Sequence, residues 1–122
     1  MRYLLATLAL LFAAKADAQT FGQPQTVATK PAGMVVLGYC QLSVSAAAKL
    51  STCSSGVPAG AVVAYIIPET AAVRYRDDGT NPTTTVGVPV AVGQQLIYSG
   101  NLNVVTFIAQ SGTSTLNVAF YR

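Results

Sequence analysis

Histidine is absent from the 122-residue chain. Its absence removes the commonest general base, and with it the Ser-His-Asp and Cys-His arrangements of nucleophilic catalysis. Charge is nearly as scarce, at 9% of residues. Beyond residue 18 the only acids are Glu69, Asp77 and Asp78, set against Lys30, Lys49, Arg74, Arg76 and Arg122. A carboxylate dyad would therefore have to come from Asp77 and Asp78, and neighbours on a strand point to opposite faces, so they meet only in a turn. No clustered basic stripe exists for nucleic acid. Only two cysteines are present, too few without histidine to complete a tetrahedral metal shell. Glycines 87 and 93 precede no helix start, which excludes a phosphate-cradling loop. No catalytic residue, metal or cofactor is expected, and the chain reads as a binding or structural module.

What remains is apolar: 52% of residues are hydrophobic, ample for a single packed domain. Part of that content sits at the N-terminus. Arg2 precedes the run Leu4 to Ala14, Lys15 stops it, and Ala16-Asp17-Ala18 forms an A-x-A site. These are the three regions of a secretory signal peptide. The run falls short of the ~20 apolar residues of a membrane anchor. Residues 1–18 are expected to be a cleaved leader, giving an exported protein, periplasmic or extracellular, with no stable membrane span. In an oxidising compartment Cys40 and Cys53 would close a disulfide; two buried thiols behaving as small hydrophobes are the alternative.

Residues 19–33 are polar and broken by Gly22, Pro24, Pro31 and Gly33, as an extended N-terminal arm would be. A folded domain is expected over 34–122. Cys40, Leu42 and Val44 alternate with Gln41, Ser43 and Ser45, the period of a half-buried strand. Ala46 to Lys49 offers one helical turn before the turn residues 51–56. Ala61 to Ile67 is a strand that Pro68 ends. Val73-Arg74-Tyr75-Arg76 follows, then a loop over 77–85 and an irregular edge strand over 86–92. Leu96 to Tyr98 leads into the tight-turn sequence Ser99-Gly100-Asn101. Val104 to Ala109 and the alternating Leu116, Val118 and Phe120 close the chain. About seven short strands without a long helix predict an all-β fold, an antiparallel, jelly-roll-like β-sandwich.

The only dense charge lies in V-R-Y-R-D-D-G-T at 73–80. Arg74 and Arg76 facing Asp77 and Asp78 are expected to pair with them, and D-D-G-T-N-P predicts an Asx-turn with the carboxylates on backbone amides. A weak calcium cage from Asp77, Asp78 and Asn81 has the right ligand type but no EF-hand spacing. Arg74, Arg76, Asp77 and Asp78, with Tyr75, form the candidate binding surface; Tyr65, Tyr75 and Tyr98 are further candidates for stacking on sugars.

Four segments together resemble a family of small proteins encoded by tailed bacteriophages and prophages. They are G-Y-C-Q-L-S-V-S at 38–45, V-R-Y-R-D-D-G-T at 73–80, P-T-T-T-V-G-V at 82–88 and T-L-N-V-A-F-Y at 115–121. The resemblance implies a compact β-sandwich that accompanies the virion as a head-decoration or fibre-associated component, with other protein subunits as partners in a homo-oligomer or virion assembly. It brings no catalytic residues. Cys40 stands where the family carries a polar residue, Cys53 lies in a Ser-rich insertion, and the leader departs from a family whose capsids assemble in the cytoplasm. That departure keeps open a secreted or periplasmic module binding a glycan or cell-surface partner. A fimbrial-type subunit fits less well, because Leu116, Val118 and Phe120 are one residue out of register with Tyr121.

Overall fold

The alternation at 40–44 and 114–120 builds the centre of the molecule. In the computed structural model, which describes residues 33–122, strand β1 (Val36–Val44) buries Cys40, Leu42 and Val44 and exposes the residues between them. Strand β8 (Ser114–Tyr121) alternates without a break, burying Ser114, Leu116, Val118 and Phe120. The two pair antiparallel from Val36↔Tyr121 to Val44↔Ser114, with a bulge between Val36 and Gly38. The expected leader, and the expected arm up to residue 32, lie outside the described residues.

The remaining strands are β2 (Ala48–Lys49), β3 (Val63–Pro68), β4 (Val73–Arg76), β5 (Val88–Val90), β6 (Leu96–Tyr98) and β7 (Thr106–Ala109). They form two four-stranded sheets, β1-β8-β3-β6 and β2-β7-β4-β5, in which every pairing is antiparallel. The all-β sandwich expected from the sequence is therefore the observed architecture, with eight strands among the described residues.

Two local readings change. The helical turn falls later than Ala46–Lys49: Ala48 and Lys49 pair with Phe107 and Thr106 as β2, and Leu50–Thr52 forms a 3₁₀ turn. Ladder bonds to β7 take Ala48 and Lys49, so the chain bends only where Leu50 can drop its side chain into the core. The turn at Ser99-Gly100-Asn101 likewise makes no hairpin. The amides of Val104 and Val105 both donate to the Asn101 carbonyl, Leu102 and Val105 are buried, and the chain crosses from β6 in one sheet to β7 in the other.

Between the sheets lie Leu42, Val44, Leu50, Ile66, Val73, Phe107, Leu116, Val118 and Phe120, among others, all buried. Each such side chain contributes roughly 1.5–3 kcal/mol on leaving water. Cys40 and Cys53 form the disulfide, with Cα atoms 6.1 Å apart. It ties β1 of the first sheet to the residue after the 3₁₀ turn, whose preceding strand belongs to the second. Buried Ser114 is satisfied by donating to the Ala71 carbonyl at 2.6 Å, and buried Thr106 by donating to Val104 at 3.0 Å.

Candidate functional site

Residues 77–87, between β4 and β5, form a loop that holds itself together. Asp78 accepts the Thr80 amide at 3.0 Å, the expected Asx-turn, and the next residue, Gly79, takes φ +83°. Arg76 forks onto Asp78, its Nε 3.1 Å from Oδ1 and its Nη2 on Oδ2. The bond from Arg76, and after it the Thr80 amide, hold the Asp78 carboxyl below the usual carboxylate range, and Asp78 in turn raises the Arg76 guanidinium. Further on, the Thr83 amide donates to the Val86 carbonyl at 2.9 Å, and the Val86 amide to the Thr83 hydroxyl at 3.0 Å.

Arg74 departs from the expected pairing with an aspartate. It lies opposite Pro89, beside the returning end of the loop, where carbonyls and not carboxylates are within reach. Its Nε donates to the Thr84 carbonyl at 3.1 Å and an Nη to that of Gly87 at 2.9 Å. Asp77 also differs from the expectation of backbone amides: its Oδ2 accepts the Tyr98 hydroxyl at 3.3 Å. Burial of Tyr98, reinforced by the Asp77 charge, raises that phenol above its ordinary value. Tyr75 faces inward, its ring 5.8 Å from Phe107 and 6.2 Å from Tyr98.

A cleft of about 340 Å³ runs between Tyr75, Arg76, Asp77 and Asp78 on one side and Val86, Gly87 and Val88 on the other. Four of the five residues of the expected binding surface therefore meet at one place, while Arg74 is spent on the loop. Arg76 and Asp78 satisfy each other, so the cleft presents little free charge. Among the described residues no three histidine, cysteine, aspartate or glutamate side chains gather as metal ligands would.

A second surface lies on the outer face of the β1-β8-β3-β6 sheet. Pairing registers set Tyr39, Ala119, Tyr65 and Ile97 in one row across its four strands. The small Ala119 between two tyrosines leaves a groove of about 170 Å³, bounded also by Tyr121, Ile67, Gln95 and Asn117. Tyr65 and Tyr121 stack at 4.9 Å with their planes tilted by 47°. Asn117 is fixed beside the groove, accepting from the Tyr39 hydroxyl at 2.6 Å and the Gln41 amide at 2.9 Å and donating to Glu69 at 3.1 Å. Tyr39 and Ile97 are 61% and 58% exposed while Tyr65 between them is buried, so the row is open at its two outer strands.

The chain matches no known family, no curated protein and no solved structure.

The tyrosine row was only partly visible in the sequence. Tyr65 alone of its aromatics is a candidate there for stacking on a ligand; Tyr39 and Tyr121 lie in strands at the two ends of the domain, and only the long-range register of β1, β8 and β3 brings them together. The available signal was the second phase of each alternation: Tyr39 and Gln41 opposite the buried phase of β1, Asn117, Ala119 and Tyr121 opposite that of β8.

Proposed function

We propose that this chain is a structural module of a tailed bacteriophage or prophage, associated with the virion as a head-decoration or fibre-associated component and acting through contacts with other protein subunits. The observation that supports contact over chemistry is the row Tyr39, Ala119, Tyr65 and Ile97. Tyr39 and Ile97 stand exposed on this nearly uncharged sheet face, and exposed aromatic and apolar side chains are what protein interfaces favour. The candidate acids do not form a reactive pair: Asp78 is neutralised by Arg76 and Asp77 holds a tyrosine hydroxyl. The phage assignment is supported by the four segments at 38–45, 73–80, 82–88 and 115–121.

Mass spectrometry of purified particles from an induced lysogen tests the reading. The chain should co-purify with the particles in fixed ratio to the coat protein, and Ala119→Arg, which fills the groove with a charged side chain, should strip it from them. Recovery only from the periplasm, with its leader removed, would overturn the virion role.

One observation favours a second reading, an exported glycan-binding module. Half-buried Tyr121, backed by buried Tyr65 and beside the fixed Asn117 amide, offers a sugar an apolar ring and a polar partner. Loss of glycan-array binding on Tyr121→Ala would support it over the virion reading.

A further inference from the structure

We propose that β1 is a two-fold interface, along which two copies of this chain join their sheets edge to edge about Gln41. The proposal rests on the reading of this protein as an assembly module and names its first partner.

Two four-stranded sheets have four edge strands, and three of them are blunted. Strand β2 has two residues, one of them Lys49; β5 has three, with Pro89 at its centre; β6 has three. Brevity, lysine and proline are the usual devices that stop an edge from pairing. Strand β1 has nine residues, V-L-G-Y-C-Q-L-S-V, without charge or proline. Its bulge lies at one end, between Val36 and Gly38, leaving 39–44 regular.

Which backbone groups face outward follows from the hydrogen-bond pattern. Val35 and Arg122 exchange both amide-to-carbonyl bonds, at 2.8 and 3.0 Å, so at residue 122 the chain's groups point toward β1. Groups alternate along an antiparallel strand, so those of Phe120, Val118 and Leu116 also point toward β1. The intervening residues point toward β3, as the Val62 and Glu69 amides donating to the Tyr121 and Thr115 carbonyls confirm. With Cys40↔Val118 and Leu42↔Leu116 in register, Cys40 and Leu42 spend their groups on β8. Tyr39, Gln41 and Ser43 therefore turn theirs out of the sheet, and among the described residues nothing pairs with them.

That outward ladder is complementary to itself. Antiparallel pairing about a two-fold axis at Gln41 sets Gln41 opposite Gln41 of the second copy and Tyr39 opposite Ser43. Each pair exchanges both of its outward backbone bonds, and no like charges meet. The side chains of these three residues lie on the outer face, so the tyrosine rows of the two copies join one continuous surface. A second copy is favoured over a different strand because nothing along β1 supplies the charge that would select one.

Sedimentation equilibrium of the purified full chain tests the proposal through Gln41, whose outward amide β8 does not use. Gln41→Pro removes that donor at the two-fold and should weaken dimerisation at least about tenfold, with the thermal midpoint of the monomer preserved. Gln41→Lys and Gln41→Glu should each weaken it by about two- to five-fold, since like charges then stand directly opposite, and an equimolar mixture should recover a heterodimer. A chain that stays monomeric at high concentration overturns the proposal. So does a dimer indifferent to Gln41→Pro, or one lost in Gln41→Lys and not recovered on mixing with Gln41→Glu. Because the readout is self-association, a monomer found in purified virions would sink this interface and leave the virion role standing, and a dimer absent from virions would do the reverse.

Discussion

The Tyr98 hydroxyl donates to the Asp77 carboxylate across the open end of the sandwich, joining β6 of one sheet to the end of β4 in the other. Gly100 makes room for this contact: a Cβ there would lie 2.6 Å from the Tyr98 Cζ. Burial and the Asp77 charge both favour the protonated phenol. The unfolded chain therefore releases this proton first, near pH 10, and the folded protein only at higher pH. Stability from this group is complete below pH 10 and declines as pH rises through the folded value. Thermal melts from pH 7 to 11 should show that decline, and Tyr98→Phe should reduce its slope while costing about 1 kcal/mol at neutral pH.

Asp78 gives the opposite sign. Its folded value is lowered, first by the hydrogen bond from Arg76 and then by the Thr80 amide. The stability it contributes is present above the ordinary carboxylate range and is lost as pH falls through the depressed value. Asp78→Asn keeps an oxygen for the Thr80 amide and removes the ion pair. Melting should show a shallower loss below pH 4 than in the parent, with little change at pH 7, because the pair is exposed.

Reduction should uncouple the sheets. The Cys40–Cys53 bond closes a loop with a sequence separation of 13, for which the chain-entropy argument gives about 3 kcal/mol. Cys40→Ser with Cys53→Ser should lower urea stability by that order, as should reductant added to the parent. An unchanged midpoint would show that the 3₁₀ turn and Leu50 anchor this corner unaided.

At Gly87 the backbone has φ +132°, and a Cβ would lie 3.0 Å from the Tyr75 carbonyl oxygen and 3.2 Å from both Arg74 Cβ and Pro82 Cβ. Gly87→Ala adds backbone strain to that crowding. It should cost more than about 1 kcal/mol in chemical denaturation and loosen the hold of Arg74 on the loop. A neutral outcome would mean the loop end shifts freely.

Strands β1 and β8 were legible in the sequence because unbroken alternation at 40–44 and 116–121 fixes both strand and buried face. The Asx-turn at Asp78 was legible because its chemistry is local. Strand β2 was not, since a two-residue pairing with β7 leaves no period to read. The crossing after Tyr98 was hidden for a related reason: Ser-Gly-Asn announces a reversal, but whether the next strand joins the same sheet is decided by where Leu102 and Val105 are buried. Arg74 shows the limit for charges, because sequence proximity to Asp77 and Asp78 suggested an ion pair where the fold placed two carbonyls. The candidate cleft was nameable from its motif; the tyrosine groove depended on strands more than seventy residues apart, as the Tyr39–Asn117 bond measures at 78.

Strand β8 lies between β1 and β3, although it is the last element in the described chain. A ribosome that has delivered everything up to Thr113 has produced the flanks of a sheet without its middle. Native closure of that layer must wait for residues 114–121, so this sheet can form only once they have left the ribosome. A nonsense codon just before Ser114 would leave β1 and β3 with an apolar gap between them, a product destined for proteolysis rather than partial activity.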